Sequence, residues 1–121
     1  MILADTSVWI DHFRFRDGSL EQALTEGEVL IHPFVLGELA CGNFKNREEI
    51  LDLLRQLPPA REATGEEALA FIDRRRLMGR GIGYIDAHLL AAALLTRSAR
   101  LWTRDKRLAA IAAELGVGFP S

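Results

Sequence analysis

Four carboxylates stand apart from their surroundings in this sequence. Asp5 and Asp105 each follow a short apolar run of the kind that forms a buried strand. Glu38 and Asp86 each interrupt a segment that is otherwise apolar and that predicts a helix buried nearly all round. An ionised carboxylate without a partner is costly in such a helix, so we expect an arginine or a metal ion to compensate it.

Taken together, the four acids favour a metal site. Ligands of open α/β sheets bind outside the carboxyl ends of the strands, so we expect Asp5 and Asp105 to share one edge. A cluster of three or four carboxylates, with no His or Cys ligand set beside it, suits Mg²⁺ or Mn²⁺ rather than Zn²⁺. Such ions activate water and stabilise charge in phosphodiester cleavage.

Each acid has a plainer explanation when it is taken alone. Asp5 could cap the helix that follows it, and Asp105 could be a charge favoured at a helix start. Glu38 and Asp86 could each pair with one of the 13 arginines of the chain. The metal hypothesis therefore depends on all four acids converging at one place.

Other residues with reactive side chains give weaker signals. The three histidines show no ligand spacing and are predicted to be structural or surface groups, with an outer contact to the acids considered only for His88. Cys41 lies in an apolar helix and is predicted to be a small core residue. The glycines of segment 79–83 follow a helix rather than a strand and lack a Gly-Lys-Ser/Thr element, which disfavours nucleotide binding.

The hydrophobic pattern predicts the elements that position these acids. Strands are expected at 1–4, 29–31, 100–103 and 117–119, with a weaker one at 61–64. A first helix is expected to begin near Val8, and further helices are expected at 19–27, 33–41, 46–57, 66–78, 84–96 and 105–115. The helix at 46–57 is expected to begin with a capping box at Asn46 and to carry an apolar stripe of Ile50, Leu53, Leu54 and Leu57. This alternation predicts one α/β domain over residues 1–121, an α/β/α sandwich with a central, mainly parallel sheet of four to five strands.

Composition narrows the function without deciding it. The 121 residues carry 17 acids and 15 bases, a net charge of −2, which excludes nucleic-acid binding by bulk charge. The acids are concentrated before Arg74 and the bases after it, which is compatible with a local basic rim. There is one cysteine, no apolar run near the roughly 20 residues of a membrane span, and no secretory pattern at the N-terminus. We therefore expect a cytoplasmic protein with no membrane partner.

Four segments, 5–11, 33–39, 81–88 and 101–105, together resemble the PIN-domain ribonucleases, and more narrowly the VapC toxins of toxin–antitoxin pairs. Each motif is weak alone, but their order and spacing are specific. The resemblance implies a Mg²⁺- or Mn²⁺-dependent endoribonuclease that acts on RNA, a cognate VapB-type antitoxin that blocks the site, and a homodimer. It assigns the acidic quartet to Asp5, Glu38, Asp86 and Asp105, with Ser7 and Thr103 as supporting hydroxyls.

One departure from the family pattern concerns the residues after the last acid. Many relatives have a further acid there, whereas this chain has Lys106 and Arg107, which leaves the fourth ligand position to Asp105 alone and the presence of a second ion open. By hypothesis, Asp5, Glu38 and Asp86 hold one ion and Asp105 completes the site. The candidate RNA contacts are Arg74, Arg80, Arg104, Lys106 and Arg107, although segment 74–76 is equally well explained as a solvated helix face.

Two other functions share parts of this pattern. A haloacid-dehalogenase-type phosphatase needs a second Asp where this chain has Ser7. A receiver-like switching module needs a lysine near a late strand end, and Lys106 keeps that alternative open. A PIN fold that binds RNA without cutting it is a third alternative, which the intact quartet argues against.

Overall fold

A parallel three-stranded sheet forms the centre of the protein. The computed structural model describes residues 1–16 and 18–120, so that Asp17 and Ser121 lie outside the described residues. The strands β1 (Ile2–Ala4), β2 (Val29–Leu30) and β3 (Arg100–Trp102) pair in the order β2-β1-β3. Leu3 of the central strand is aligned with Leu30 on one side and Leu101 on the other, and all three are buried. The apolar runs therefore form the strands that their composition predicts.

The sheet has fewer strands than the four to five expected. Single bridges extend it on both edges, between Ile31 and Pro59 and between Leu101 and Gly118. Segment 117–119 thus contributes one bridge rather than a strand. The strand expected at 61–64 is wrong, because the Arg61 amide donates to Thr96 Oγ1 at 2.8 Å instead of to a neighbouring strand.

Helices cover the sheet and complete an α/β/α arrangement, as expected. α1 packs against β1, and α6 and α7 pack against β3. α5 packs against α6, while α3 packs against both α1 and α4. The seven helices of the described residues are α1 (Thr6–Phe15), α2 (Gly18–Thr25), α3 (Pro33–Ala40), α4 (Arg47–Arg55), α5 (Gly65–Arg75), α6 (Tyr84–Leu95) and α7 (Lys106–Glu114).

Helix α6 shows the burial that its apolar sequence predicts. Seven consecutive residues, from Ala87 to Ala93, are buried, which is the pattern of a helix covered on all sides. The helix begins at the edge of the sheet that carries the strand ends and places Asp86 in its first turn. Burial of α6 therefore fixes where that carboxylate lies.

Helix α4 begins where it is expected, directly after Asn46, but the expected capping box does not form. Asn46 has a left-handed backbone (φ 58°) and makes no side-chain capping bond. The neighbouring Arg47 side chain instead donates to the Ala40 and Gly42 carbonyls at the end of α3. Ile50, Leu54 and Leu57 of the expected stripe pack against the core together with Leu51, whereas Leu53 is exposed.

The capping box that does form lies at α5. Thr64 Oγ1 accepts from the Glu67 amide at 3.1 Å, and Glu67 accepts from the Thr64 amide at 2.8 Å. The helix stops earlier than the expected 66–78, because Arg76 turns the backbone into the left-handed region (φ 53°). In the described part of the chain, no helix has both the length and the apolar character needed to cross a membrane.

Candidate active site at the carboxyl ends of the strands

Asp5 is held rigidly at the end of the central strand. Its amide donates to the Trp102 carbonyl at 3.0 Å, which ties the ends of β1 and β3 together. The side chain is 7% exposed, and its Oδ1 accepts from the Ser7 hydroxyl at 2.5 Å and from the Val8 amide at 3.2 Å. Oδ2 accepts from the Thr103 hydroxyl. Asp5 therefore caps α1 and also lies at the sheet edge where ligands bind.

Asp105 lies at the same edge, just past β3. Its Oδ1 caps α7 by accepting from the Arg107 and Leu108 amides at 2.8 and 3.0 Å. Its own amide donates to Thr103 Oγ1 at 3.0 Å. The Thr103 hydroxyl thus connects the two strand-end acids, because it accepts from the Asp105 amide and donates to the Asp5 carboxylate.

Ser7 makes a second bridge of the same kind. Its hydroxyl donates to Asp5 and accepts from the Arg104 amide at 3.0 Å. Ser7 and Thr103 therefore both connect Asp5 to the loop between β3 and α7. This places the two predicted supporting hydroxyls in direct contact with Asp5.

Glu38 is in a different environment from the one expected. The sequence predicts a buried helix, yet α3 is only 8 residues long and buries Val35 and Leu39, leaving Glu38 exposed to solvent. Glu38 Oε1 accepts from the Thr6 hydroxyl at 2.8 Å. The expected burial is therefore wrong for Glu38, whose charge is solvated. Thr6 was not identified from the sequence, although its place between Asp5 and Ser7 at a helix start is a signal for such a role.

Asp86 connects the four acids electrostatically. It is half-buried, and Oδ2 accepts from the Gly83 amide at 3.1 Å. Burial raises the pKa of Asp86 above its ordinary value, the Gly83 hydrogen bond opposes that rise, and the charges of Asp5, Asp105 and Glu38 raise the pKa further. All four predicted acids therefore act within one electrostatic environment.

The donor chemistry at this edge fits a hard cation. The polar groups at this edge are carboxylates, accompanied by the hydroxyls of Thr6, Ser7 and Thr103, and oxygen ligands are those that Mg²⁺ and Mn²⁺ prefer. Within residues 1–16 and 18–120, however, no three His, Cys, Asp or Glu side chains come close enough to share one ion in this conformation. Binding an ion would therefore require the carboxylates to move closer together.

The predicted basic residues divide into two groups. Arg104, Lys106 and Arg107 lie beside Asp105 at the acidic edge. Arg104 pairs with Asp11 at 3.1 Å and lies 5.2 Å from the centre of the Trp102 ring. The Arg107 side chain passes so close to Gly81 that an added Cβ there would lie 2.6 Å from Arg107 Cδ.

Arg80 and Arg74 point elsewhere. Arg80 makes a two-pronged ion pair with Glu114, at 2.8 and 2.9 Å. Glu114 ends α7, a nine-residue helix, and so lies about 13 Å from its start at the acidic edge. Arg74 lines a surface pocket with Leu94 and Leu95 at the far end of α6. The structure does not bring these two arginines to the acids.

The histidines are packed among aromatic rings. His32 caps α3 by accepting from the Phe34 amide at 3.0 Å, and the buried His88 ring contacts Phe34 and Tyr84 with ring centres 4.7 and 4.6 Å away. Burial lowers the pKa of His32, against an opposing effect of Glu62, and His88 lowers it further. Burial likewise lowers the pKa of His88. Both rings are therefore structural and uncharged near neutral pH.

Cys41 is exposed, so the prediction that it lies in the core is wrong.

The fold and this acidic edge are those of the PIN-domain family, and the chain belongs to it: the family model described as PIN domain matches residues 2–114. Ribonuclease VapC32 of Mycobacterium tuberculosis (strain CDC 1551 / Oshkosh) is 51% identical to this chain over 119 residues, which cover 98% of this chain and 96% of the relative. Ribonuclease VapC32 of strain ATCC 25618 / H37Rv of that species gives the same values. The chain thus belongs to the VapC group of PIN domains, which confirms the resemblance and removes the receiver and phosphatase alternatives.

Proposed function

We propose that this protein is a divalent-metal-dependent endoribonuclease and the toxin component of a VapBC-type toxin–antitoxin system. The high identity to a VapC ribonuclease over nearly the full length supports the activity. The observation that carries the site is that Asp5 and Asp105 share the Thr103 hydroxyl at the strand ends. Asp86 lies near them, since burial and then the charges of Asp5, Asp105 and Glu38 raise its pKa. Four acids that repel one another at a strand edge are more stable when a cation lies among them.

In this proposal Asp5, Glu38, Asp86 and Asp105 hold the metal, Mg²⁺ or Mn²⁺. A bound ion of this kind supplies activation of water and stabilisation of negative charge on the phosphate. Ser7 and Thr103 hold the Asp5 carboxylate in a fixed orientation, and Thr6 does the same for Glu38. These hydroxyls orient Asp5 and Glu38 without neutralising them.

The basic residues nearest the acids are proposed to hold the RNA backbone. Arg104, Lys106 and Arg107 flank Asp105, so that phosphates on either side of the scissile bond would meet a cation there. Arg107 is the best placed of them, since its side chain crosses Gly81 in the loop that leads to Asp86. Arg74 and Arg80 are weaker candidates because of their distance from the acids and, for Arg80, its pairing with Glu114.

The VapC relationship also implies partners. We propose a VapB-type antitoxin that covers the acidic edge and places a basic side chain among the acids, where it would offset their mutual repulsion. We further propose that the toxin is a homodimer and acts in the cytoplasm, where RNA substrates are found. Analytical ultracentrifugation of the purified chain tests the dimer, since a single monomer peak across the micromolar range would refute it.

Asp5→Asn tests the activity most directly. It keeps the shape of the side chain and an oxygen that can accept a hydrogen bond, but removes the charge that an ion would bind. We expect wild-type protein to cleave members of a tRNA, rRNA and mRNA panel with Mg²⁺ or Mn²⁺ and to lose this with chelator, while the variant cleaves at least a hundredfold more slowly.

Asp52→Asn is the matched control. Asp52 is an exposed acid on α4 that pairs with Arg55, so its loss removes one negative charge away from the proposed site. It should leave cleavage unchanged. Cleavage retained by Asp5→Asn, or undiminished by chelator, would refute the metal mechanism, and no cleavage by the wild type would favour a PIN fold that binds RNA without cutting it.

A further inference from the structure

A fifth carboxylate, Asp11, holds one of the cations of the acidic edge. Arg104 lies between Thr103 and Asp105 in the loop that follows β3. Its Nε lies 3.1 Å from Asp11 Oδ2 on α1, and the two side chains are 37% and 41% exposed. Asp11 is not one of the four proposed metal ligands, so its charge at this place needs a separate explanation.

Helix α1 holds Arg104 at two points. Ser7 and Asp11 are four positions apart and therefore lie one turn apart on the same helix face. The Ser7 hydroxyl accepts from the Arg104 amide at 3.0 Å and also donates to Asp5. Asp11 pairs with the Arg104 side chain. One face of α1 thus fixes both the backbone and the guanidinium of the residue that precedes Asp105.

The Trp102 ring restricts the same guanidinium. Arg104 Cζ lies 5.2 Å from the centre of this ring, within the range of a cation–π interaction. The ring itself is only 3% exposed and packs against Phe119 with ring centres 4.7 Å apart, so it is fixed by the core. Together, the ring and Asp11 restrict an arginine side chain that otherwise has many rotamers.

The contact with Asp11 is weak enough to admit a phosphate. An ion pair between exposed side chains contributes little to stability, because water and salt screen the charges. A guanidinium carries five N–H donors, and it binds phosphates as well as carboxylates with paired hydrogen bonds. Asp11 can therefore orient Arg104 in the free protein and share it with a phosphate, or release it, when RNA arrives.

The position of Asp11 is unfavourable for RNA binding unless it acts through Arg104. A carboxylate near the bound RNA repels phosphates, which lowers affinity. The pair also adds little to the stability of the fold, for the reason just given. Orientation of the neighbouring cation is the role that accounts for an acid at this place.

We propose that Asp11 is a positioning residue for RNA binding, which orients Arg104 so that its guanidinium receives the RNA phosphate on the α1 side of the acids. The inference rests on the proposed function, because it takes RNA to lie at the acidic edge. A side chain that is already oriented loses less conformational freedom when it binds, and the affinity is higher for that reason.

A double-mutant cycle in RNA binding tests this role. The probe is a fluorescein-labelled, twelve-nucleotide single-stranded RNA of mixed sequence, and chelator is present to prevent cleavage. Asp11→Asn should weaken binding about 2- to 10-fold when Arg104 is present. In an Arg104→Gln background the same change should leave binding unchanged or strengthen it slightly, because it then only removes a negative charge.

Two further measurements separate positioning from a general effect on the fold. Arg104→Gln should reduce the slope of log affinity against log salt by about 0.7, the value for one phosphate contact on a single strand. Asp11→Glu keeps the charge and should restore most of the affinity. With Mg²⁺, Asp11→Asn should raise KM for RNA cleavage and leave kcat nearly unchanged, and this comparison also completes the cycle if binding in chelator is too weak to measure.

The pair of Asp52 and Arg55 on α4 is the matched control. It is also an ion pair between exposed side chains, with the two atoms 2.8 Å apart, but it lies away from the proposed site. A cycle of Asp52→Asn and Arg55→Gln should show no coupling in RNA affinity. Thermal unfolding of every variant confirms that it is folded.

Three results would overturn the inference: an unchanged salt slope in Arg104→Gln, RNA binding by Asp11→Asn that is as tight as or tighter than that of the wild type, or the same effect of Asp11→Asn in both Arg104 backgrounds. Cleavage by the wild type distinguishes this failure from failure of the proposed function. If only the role of Asp11 is wrong, the wild type still cleaves RNA with Mg²⁺ or Mn²⁺. If the proposed function is wrong, the wild type cleaves RNA with neither ion.

Discussion

The hydroxyl of Thr103 offers the sharpest test of how the acidic edge is built. It donates to Asp5 Oδ2 and accepts from the Asp105 amide, and both Thr103 and Asp5 are buried. Thr103→Val keeps the shape and removes both bonds. The lost bond to a carboxylate costs about 1.5–3 kcal/mol and the unpaired amide about 1 kcal/mol, offset by about 0.8 kcal/mol for the added methyl group. The free energy of unfolding should therefore fall by about 2–3 kcal/mol.

Urea unfolding of the wild type and the variant measures this difference, and Thr103→Ser is the control that keeps the hydroxyl. RNA cleavage by Thr103→Val should fall about 10- to 100-fold, because groups that orient a metal ligand have effects of that size. In an Asp5→Ala background, Thr103→Val should destabilise the protein by less than about 1 kcal/mol, since the main partner is already absent. Equal destabilisation in both backgrounds would refute the reasoning.

Two further predictions concern the loop before α6 and the repulsion among the acids. Gly81→Ala and Gly79→Ala should destabilise the protein by a similar amount, about 1–2 kcal/mol each, because both positions have positive φ (84° and 72°). At Gly81 the exposed, flexible Arg107 side chain can move away from the new Cβ, so a much larger loss at Gly81 than at Gly79 in urea unfolding would contradict this reasoning. Asp86→Asn should raise the melting temperature in chelator, because it removes a half-buried charge that the charges of three other acids destabilise. It should also weaken the rise in melting temperature that Mg²⁺ produces in the wild type. A lower melting temperature in chelator would contradict this prediction.

Local sequence was sufficient for features that depend on neighbouring residues. The apolar runs before Asp5 and Asp105 predicted strands, and parallel pairing then brought the two acids to one edge. The nearly continuous apolar run of α6 predicted its burial. Local signals failed where two of them compete: Asn46 and Glu49 match a capping box, yet the adjacent Arg47 bonds to the carbonyls that end α3 and the cap is not formed.

Sequence patterns were least informative about which helix face meets solvent. Glu38 lies in an apolar segment and was expected to be buried, but α3 is short and packs by one side only. Leu53 was expected on the apolar face of α4 and is exposed instead. Both errors arise because a pattern of apolar residues does not state which neighbouring element will cover them.

The sequence by itself determined the α/β order of elements, the four candidate acids and the family to which the chain belongs, since these follow from residue types at short spacing. Only the tertiary structure decided that Thr103 binds Asp5 across 98 positions, that Arg80 is committed to Glu114, and that Phe34 and Tyr84 meet around His88. Such contacts depend on how distant segments pack, because the free energy of each is realised only when the whole core has formed. The acids can thus be identified from the sequence, whereas the contacts that hold them and the surface beside them can be identified only from the fold.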